Sequence, residues 1–295
     1  MGFSRNSAAV AIPTRNRGAD VCRTIESVLA SDHPDFGLVV VDQSDDDGTF
    51  DAVRDFLDRT DFRYIRSADR GVAAGRNAAI ASVQSEFVAM TDDDCEVAPD
   101  WLRQIEAGLQ HRDSIGLVFG TVAAAPHDAS RGFIPAYYPT TPFLATSIRH
   151  KHRVEGLGAS MGIRRSVWHT LQGFDENFGT GGRFHAGEEL DFAVRALLSG
   201  YAVYEAPAAR VTHHGFRTWS RGRTLIWGYL YGGGAMFGMR LKARQWPVAS
   251  LAYRLAWRWA FEQPLIDLGH KPSRLLCLRA FTCGFVAALR TPARR

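Results

Sequence analysis

Cysteine is scarce. The four in 295 residues, Cys22, Cys95, Cys277 and Cys283, show no C-x-x-C spacing and no paired framework. That argues against a cysteine zinc site and favours a reducing compartment. Long hydrophobic runs are missing as well. A charge-free stretch in the tail, residues 224–239, has 16 residues and five glycines, short of the roughly 20 predominantly apolar residues of a spanning helix. The N-terminal "MGFSRNSAAVAIPTRNR" has too few apolar residues before Pro13 for a secretory leader, and Asn6 stands where a myristoylation signal needs a small hydroxyl residue. A cytoplasmic protein is expected, without internal repeats. Acidic residues are nearly absent from one end: residues 210–295 hold 15 Lys and Arg against Glu262 and Asp267, whereas residues 1–209 hold 20 against 29 Asp and Glu.

What is present is 46% hydrophobic, enough for a substantial core in one large domain or two. An acidic body with a basic, Trp-rich tail implies two tasks, the second with an anionic partner. Within the body, the apolar run "FVAM" ends at Asp92, Asp93 and Asp94. A buried strand that stops at acidic residues delivers carboxylates to its C-terminal end, where open α/β sheets place ligands. Adjacent carboxylates repel, and Mg²⁺ or Mn²⁺ relieves the repulsion while keeping positions open for phosphate oxygens. If the extended geometry persists, Asp92 and Asp94 share a face and Asp93 takes the other. A solvated acidic turn, or a helix N-cap ahead of "APDWL", is the competing explanation.

The periodicity predicts strands at 8–13, 36–42, 62–67 and 86–94, alternating with helices at 18–31, 49–59 and 71–83. This β-α order implies a parallel sheet covered on both faces, with right-handed crossovers. A helix at 99–111 and a strand at 115–124 follow. Residues 125–155, with four prolines and "RHKHR", read as a long mobile loop. Then come a strand running into a helix at 156–168, a helix at 187–200 ended by Gly200, and one or two short strands over 202–215. From Trp219 onward three helical, aromatic segments cover 224–239, 247–269 and 275–290. Such basic helices suit the surface of an anionic bilayer, or they pack on the body with Arg side chains snorkelling at its edge.

The loops at the strand ends carry ligand-binding chemistry. "PTRNR" brings Arg15 and Arg17, "VDQSDDDGT" brings Asp42, and "RGVAAGRNAAI" starts a helix with small residues that let a diphosphate approach backbone N–H groups. In this order and spacing they resemble the catalytic domain of glycosyltransferase family 2, over about residues 8–214. "PTRNR" is similar to the family's "PTYNR", with Arg15 in place of the aromatic, and "VDQSDDDGT" to "VDDGSTDGT", with Gln43 departing. "DRGVAAGRNAAI" is similar to "N-x-G-x-x-x-A-R-N-x-G", the aspartate triplet to the D-x-D metal motif, and "GFDENF" and "GEELD" to "G-F-D-E-x-F" and "G-E-D-x-D".

The resemblance implies an α/β fold of GT-A type, a mostly parallel central sheet flanked by helices, with residues 1–215 catalytic and 216–295 a helical C-terminal extension. It implies inverting transfer from a nucleotide-diphospho-sugar to a hydroxyl on a saccharide or lipid-linked acceptor, in cell-surface polysaccharide or glycolipid synthesis, with Mg²⁺ or Mn²⁺ as cofactor. Donor contacts fall on Pro13, Thr14, Arg15, Arg17, Asp42, Ser44, Arg70, Arg76, Asn77, Asp92 and Asp93, and Gly173, Phe174, Asp175 and Glu176 shape the sugar pocket. The metal falls to Asp92, Asp94 and His213; His214 faces the other way on a strand. Glu189 stands where the family has an Asp base, with Glu188 and Asp191 as alternatives. A sugar-nucleotide-binding scaffold without turnover is the competing reading, motivated by Arg15, Gln43 and Glu189. A nucleotidyltransferase lacks its Gly-rich phosphate loop here. A nucleic-acid partner, which would need a basic groove with stacking aromatics, is not expected, and peripheral contact with the cytoplasmic face of a membrane falls to the tail.

Overall fold

The computed structural model describes residues 6–262 and 272–291. The four apolar runs of the first third form β1 (Ala8–Thr14), β2 (Phe36–Asp42), β3 (Phe62–Arg66) and β4 (Phe87–Met90), parallel in the order β3-β2-β1-β4. Every residue of β1 is buried, as expected of a strand covered on both faces. Helix α1 (Gly18–Leu29) turns Val21, Ile25 and Val28 into one core cluster. Residues 49–59 do not make one helix. Instead α2 (Gly48–Ala52) stops and a 3₁₀ turn covers Arg54–Phe56, the tighter winding bringing Val53 fully into the core. Helix α3 (Val72–Ala81) leads into β4.

The fourth strand is shorter than its sequence suggests. It ends at Met90, and the chain turns at Asp93 and Asp94 into β5 (Cys95–Val97), which is antiparallel to a later strand. The alternation expected across the triplet is therefore lost, because a turn lets Asp93 and Asp94 converge on one cation. After α4 (Trp101–Gln110) and β6 (Ile115–Ala124), the segment read as a mobile loop is built into the fold. It contains β7 (Gly132–Phe133), β8 (Phe143–Ala145), a bridge from Tyr137 to Val122 and a 3₁₀ turn over Ile148–Arg153. The buried Lys151 ammonium donates to the carbonyls of Val154 and Glu155, which pins that turn.

Strand β9 (Met161–Arg164) runs antiparallel between β4 and β6, and α5 (Arg165–Thr170) and α6 (Glu188–Leu198) follow. Strand β10 (Ala202–His213) pairs parallel to β6 and antiparallel to β5 and β8, completing a nine-stranded mixed sheet. Strand β11 (Arg217–Thr218) forms a small ribbon with β7.

The tail folds as α7 (Trp219–Lys242), α8 (Val248–Glu262) and α9 (Arg274–Arg290), while residues 263–269 of the second predicted helix lie outside the described residues. Two glycines of the charge-free run, Gly234 and Gly238, serve helix packing. A Cβ at Gly234 would overlap the carbonyl of Phe281, and one at Gly284 that of Tyr231, so α7 and α9 approach backbone to backbone. No helix among the described residues is long and apolar enough to cross a membrane.

The core does not divide at residue 215. Ala235, Met236, Phe237, Val248 and Leu251 belong to the cluster that holds Phe184, Phe192 and Val194, and Arg240 reaches Asp191 at 3.3 Å. Burial of a Met, Phe or Leu side chain contributes about 1.5–3 kcal/mol, so these contacts together are of the order of a domain's whole stability, about 5–15 kcal/mol. A chain ending at 215 is expected to lose the cooperative thermal transition of the full chain. A sharp transition at unchanged temperature, by circular dichroism, would show instead that the tail is an appendage.

Candidate active site

A cavity of about 340 Å³ opens at the carboxyl ends of β1 and β4, bounded by the starts of α3 and α6, the end of β10 and the first turns of α7. Beta-1 delivers Pro13 and Thr14 to its wall, and the following turn delivers Arg15 and Arg17. That turn is held by Asn16, in the left-handed region at φ 56°, whose side chain bonds to Asp45 in both directions while its N–H donates to Ser44 Oγ. Asp45 also takes Arg15 and Arg70, at 3.0 and 2.9 Å. Hydrogen bonds from Asn16 and Arg15 hold its carboxyl below the usual range.

Three expected donor contacts sit behind this wall. Asp42 is fully buried, its oxygens accepting from the Ser44 N–H at 2.8 Å and the Tyr64 hydroxyl at 2.6 Å, with Arg66 at 3.5 Å. It braces the end of β2, and its neighbour Gln43 faces the cavity. Ser44 is likewise buried, bonded to Asn16 and Thr49. Asn77 uses both donors and both acceptor positions on Phe174, Glu176 and Trp168. It fastens the turn at 173–176, whose Gly173, Phe174, Asp175 and Glu176 do not reach the cavity wall. Arg70 is also off the wall, turned toward Asp45 and the carbonyl of Gln43.

The charged floor is organised around two guanidiniums. Arg76, 1% exposed, spans from Glu188 Oε1 at 2.7 Å to Asp92 Oδ1 at 3.0 Å, tying α6 to the end of β4. Arg17 reaches Asp93 at 3.1 Å and Asp94 at 2.6 Å, and Thr14 donates to the other Asp93 oxygen. Burial pushes the Asp93 carboxyl up to about 6 despite Arg17. Asp94 is also buried, yet its bonds to His213 and Arg17 hold it well below the ordinary carboxylate range. His213 Nε2 lies 3.1 Å from Asp94, and its Nδ1 is oriented by the Pro135 carbonyl at 2.9 Å.

Asp94, Cys95 and His213 form the metal-sized cluster among the described residues, their ligand atoms within 4.8 Å of one another. Asp92, expected to pair with Asp94 as a ligand, falls outside this cluster and pairs with Arg76 at 3.0 Å. His214 turns away, with Nε2 3.0 Å from Glu96.

Of the three candidate bases, Asp191 is fully buried between Arg195 and Arg240 and does not line the cavity. Glu188 lines it but is paired with Arg76. Glu189 lines it too, and one of its oxygens, the buried Oε2, has no hydrogen-bond partner among the described residues. Burial, and then the neighbouring Glu188 charge, push its carboxyl up to about 8. The cavity also takes residues that sequence reasoning missed: Arg217, 3.8 Å from Asp94, and Leu225 and Tyr229 on α7. Arg217 carries the one usable signal, a cation four residues after His213 where the basic tail begins. The aromatic in a charge-free run carried none.

Comparison with known proteins converges with this geometry. Residues 9–170 match the family described as Glycosyl transferase family 2. The glucosyl-dolichyl phosphate glucuronosyltransferase of Haloferax volcanii is 26% identical over 218 residues, which are 70% of this chain and 68% of that protein. The pre-mycofactocin glycosyltransferase of Mycobacterium tuberculosis is 26% identical over 223 residues, 72% of this chain but 43% of that one. Among solved structures, S. aureus TarS 1-349 in complex with UDP superposes with a TM-score of 0.63 at 16% identity, covering 86% of this chain and 72% of that one. The mannosyltransferase PcManGT from Pyrobaculum calidifontis, in complex with GDP-Man and Mn²⁺, gives 0.62 at 17% identity, covering 99% and 78%. These likenesses show the shared GT-A fold: a mixed, mostly parallel sheet flanked by helices with a C-terminal helical region. The family match runs from β1 through α5 and includes all three aspartates: the chain belongs to glycosyl transferase family 2.

Proposed function

We propose that this enzyme transfers a sugar with inversion from a nucleotide-diphospho-sugar to an acceptor hydroxyl, with Glu189 as the base. The observation that carries the reading is one cavity wall holding both Glu189, which among the described residues forms no ion pair with the arginines of the site, and the Asp94–His213 pair beside Arg17. The acceptor hydroxyl attacks the anomeric carbon, the bond from that carbon to the diphosphate oxygen breaks, and the hydroxyl proton passes to Glu189. Arg17 and Arg217 would receive the anionic leaving group, and Arg76, paired with Glu188, holds that carboxylate off the acceptor path. The sugar-nucleotide ligands of TarS and PcManGT support the donor class. The dolichyl phosphate in the name of the Haloferax relative supports a lipid-linked acceptor, and with it glycolipid synthesis.

The donor set fits a divalent cation. A carboxylate beside an imidazole fixed by a carbonyl suits Mn²⁺, whereas burial raises the Cys95 thiol well above its ordinary value, leaving it protonated and a poor ligand. Asp94 and His213 would hold the cation, which when bound supplies charge neutralisation for the departing diphosphate.

The test is a thermal-shift screen of UDP-, GDP- and dTDP-sugars with and without Mn²⁺ or Mg²⁺, followed by transfer assays with lipid-linked and free saccharides. A cognate donor at 100 times its Kd is expected to stabilise by about 2.7 kcal/mol. Asp94→Ala is expected to abolish the metal-dependent part of that shift and to lower turnover at least ~100-fold. No shift with any donor, or an undiminished Asp94→Ala rate, would overturn the reading. A donor shift without transfer to any acceptor would support the binding-scaffold alternative.

A further inference from the structure

Helix α8 has two unlike faces. Val248 and Leu251 are buried against the body, while Tyr253, Trp257 and Phe261 recur every fourth residue on the outside and are 66%, 52% and 62% exposed. Their rings touch in sequence, with centroids 6.2 and 4.2 Å apart, and Trp246, 65% exposed, extends the patch in the turn before the helix. A groove of about 700 Å³ runs alongside, lined by Arg149, His152 and Arg254 together with Tyr253 and Trp257, with no carboxylate among the described lining residues.

We propose that this face docks the enzyme on a bilayer containing anionic lipids. The aromatic rings would enter the headgroup–acyl boundary, where amphipathic aromatics are favoured. Arg149, His152 and Arg254 would meet lipid phosphates in the groove. Charge decides the occupant. Residues 210–295 carry 15 basic residues against two acidic ones, a match for an anionic leaflet. A second copy of the chain on the same patch would bring Arg149 and Arg254 of both copies together and repel. The placement also bears on catalysis. The 3₁₀ turn that carries Arg149 and His152 packs on α8 and also on α6, whose first residues are Glu188 and Glu189. A membrane bound here would therefore lie one packed turn away from the helix that carries the base, near enough for a lipid-linked acceptor held at its surface to be delivered to it. That deepening of the acceptor reading rests on the function proposed above, but the docking itself does not.

The test is flotation of the full chain with phosphatidylcholine vesicles, with and without phosphatidylglycerol and without any sugar nucleotide. Binding is expected to the anionic vesicles alone and to weaken with salt. Arg149→Glu with Arg254→Glu, and separately Trp257→Ala with Phe261→Ala, are each expected to weaken it about tenfold or more. All four side chains lie outside the core, so the unfolding temperature and the donor-induced thermal shift should stay unchanged. Failure of the wild-type chain to float, full retention by both variants, or a soluble dimer that the same substitutions dissociate would overturn the proposal. Loss of donor binding or transfer alone would strike the enzymatic reading and leave docking standing.

Discussion

Glu189→Gln is expected to lower turnover about 10²–10⁴-fold, the range that a positioned general base contributes, with the donor-induced thermal shift essentially unchanged. Glutamine keeps the shape of the side chain but cannot take the proton from the acceptor. The pH dependence is the sharper signature. With its carboxyl pushed up to about 8 by burial and the Glu188 charge, Glu189 is mostly protonated at neutral pH. Acceptor-side kcat/KM should then rise about tenfold per pH unit below 8 and level off above it. Stability runs with the opposite sign. The folded value lies above the ordinary 4.5, so this contribution is complete below 4.5 and is lost as pH rises through 8. The Gln variant should flatten that part of both profiles. A Glu189→Gln enzyme with wild-type turnover would remove Glu189 as the base and return Glu188 to consideration.

Arg76→Met is expected to cost about 3–5 kcal/mol of folding stability, the usual penalty for removing one partner of a buried ion pair. The guanidinium is 1% exposed and spans Glu188 and Asp92, so its removal leaves two carboxylates facing each other without a counter-charge. Lysine should not rescue the site, because a single ammonium cannot reproduce the two-pronged contact. Adding Glu188→Gln to Arg76→Met should recover part of the loss, since one of the stranded charges is then gone. Chemical denaturation of the two single variants and the double variant measures this directly. A loss below 1 kcal/mol, or strictly additive effects, would show that water already screens this cluster.

Several features were legible in the residues alone. Apolar runs separated by helical periods specify the parallel half of the sheet, because burial on both faces demands continuous apolar strands. The place where those runs stop identifies the ligand edge. The acidic triplet and "PTRNR" could be placed there without coordinates, since the carboxyl ends of parallel strands share one side of a sheet, and "GEELD" through the family resemblance. The division of charge between body and tail was equally plain.

Which carboxylate faces which cation was a matter for the tertiary structure. Asp42 and Asn77 carry side chains as suited to a ligand as those of Arg17, but Asp42 is buried against Tyr64 and the neighbouring Ser44 N–H, and Asn77 is taken up by the turn at 173–176, so that the deciding partners, Tyr64 and that turn, are distant in sequence. Asp191 and Glu189 are two residues apart on one helix, and Arg195 and Arg240 pair with the first while the second lines the cavity. The tail, which composition marks as separate, closes the same core through Met236 and Phe237. Local patterning thus determined where the principal strands, helices and charged loops lie, because it acts through the period of the backbone, but not the short strands and turns of 125–155, which long-range pairing builds. Only long-range packing decided which polar groups remained unsatisfied, and so available for chemistry.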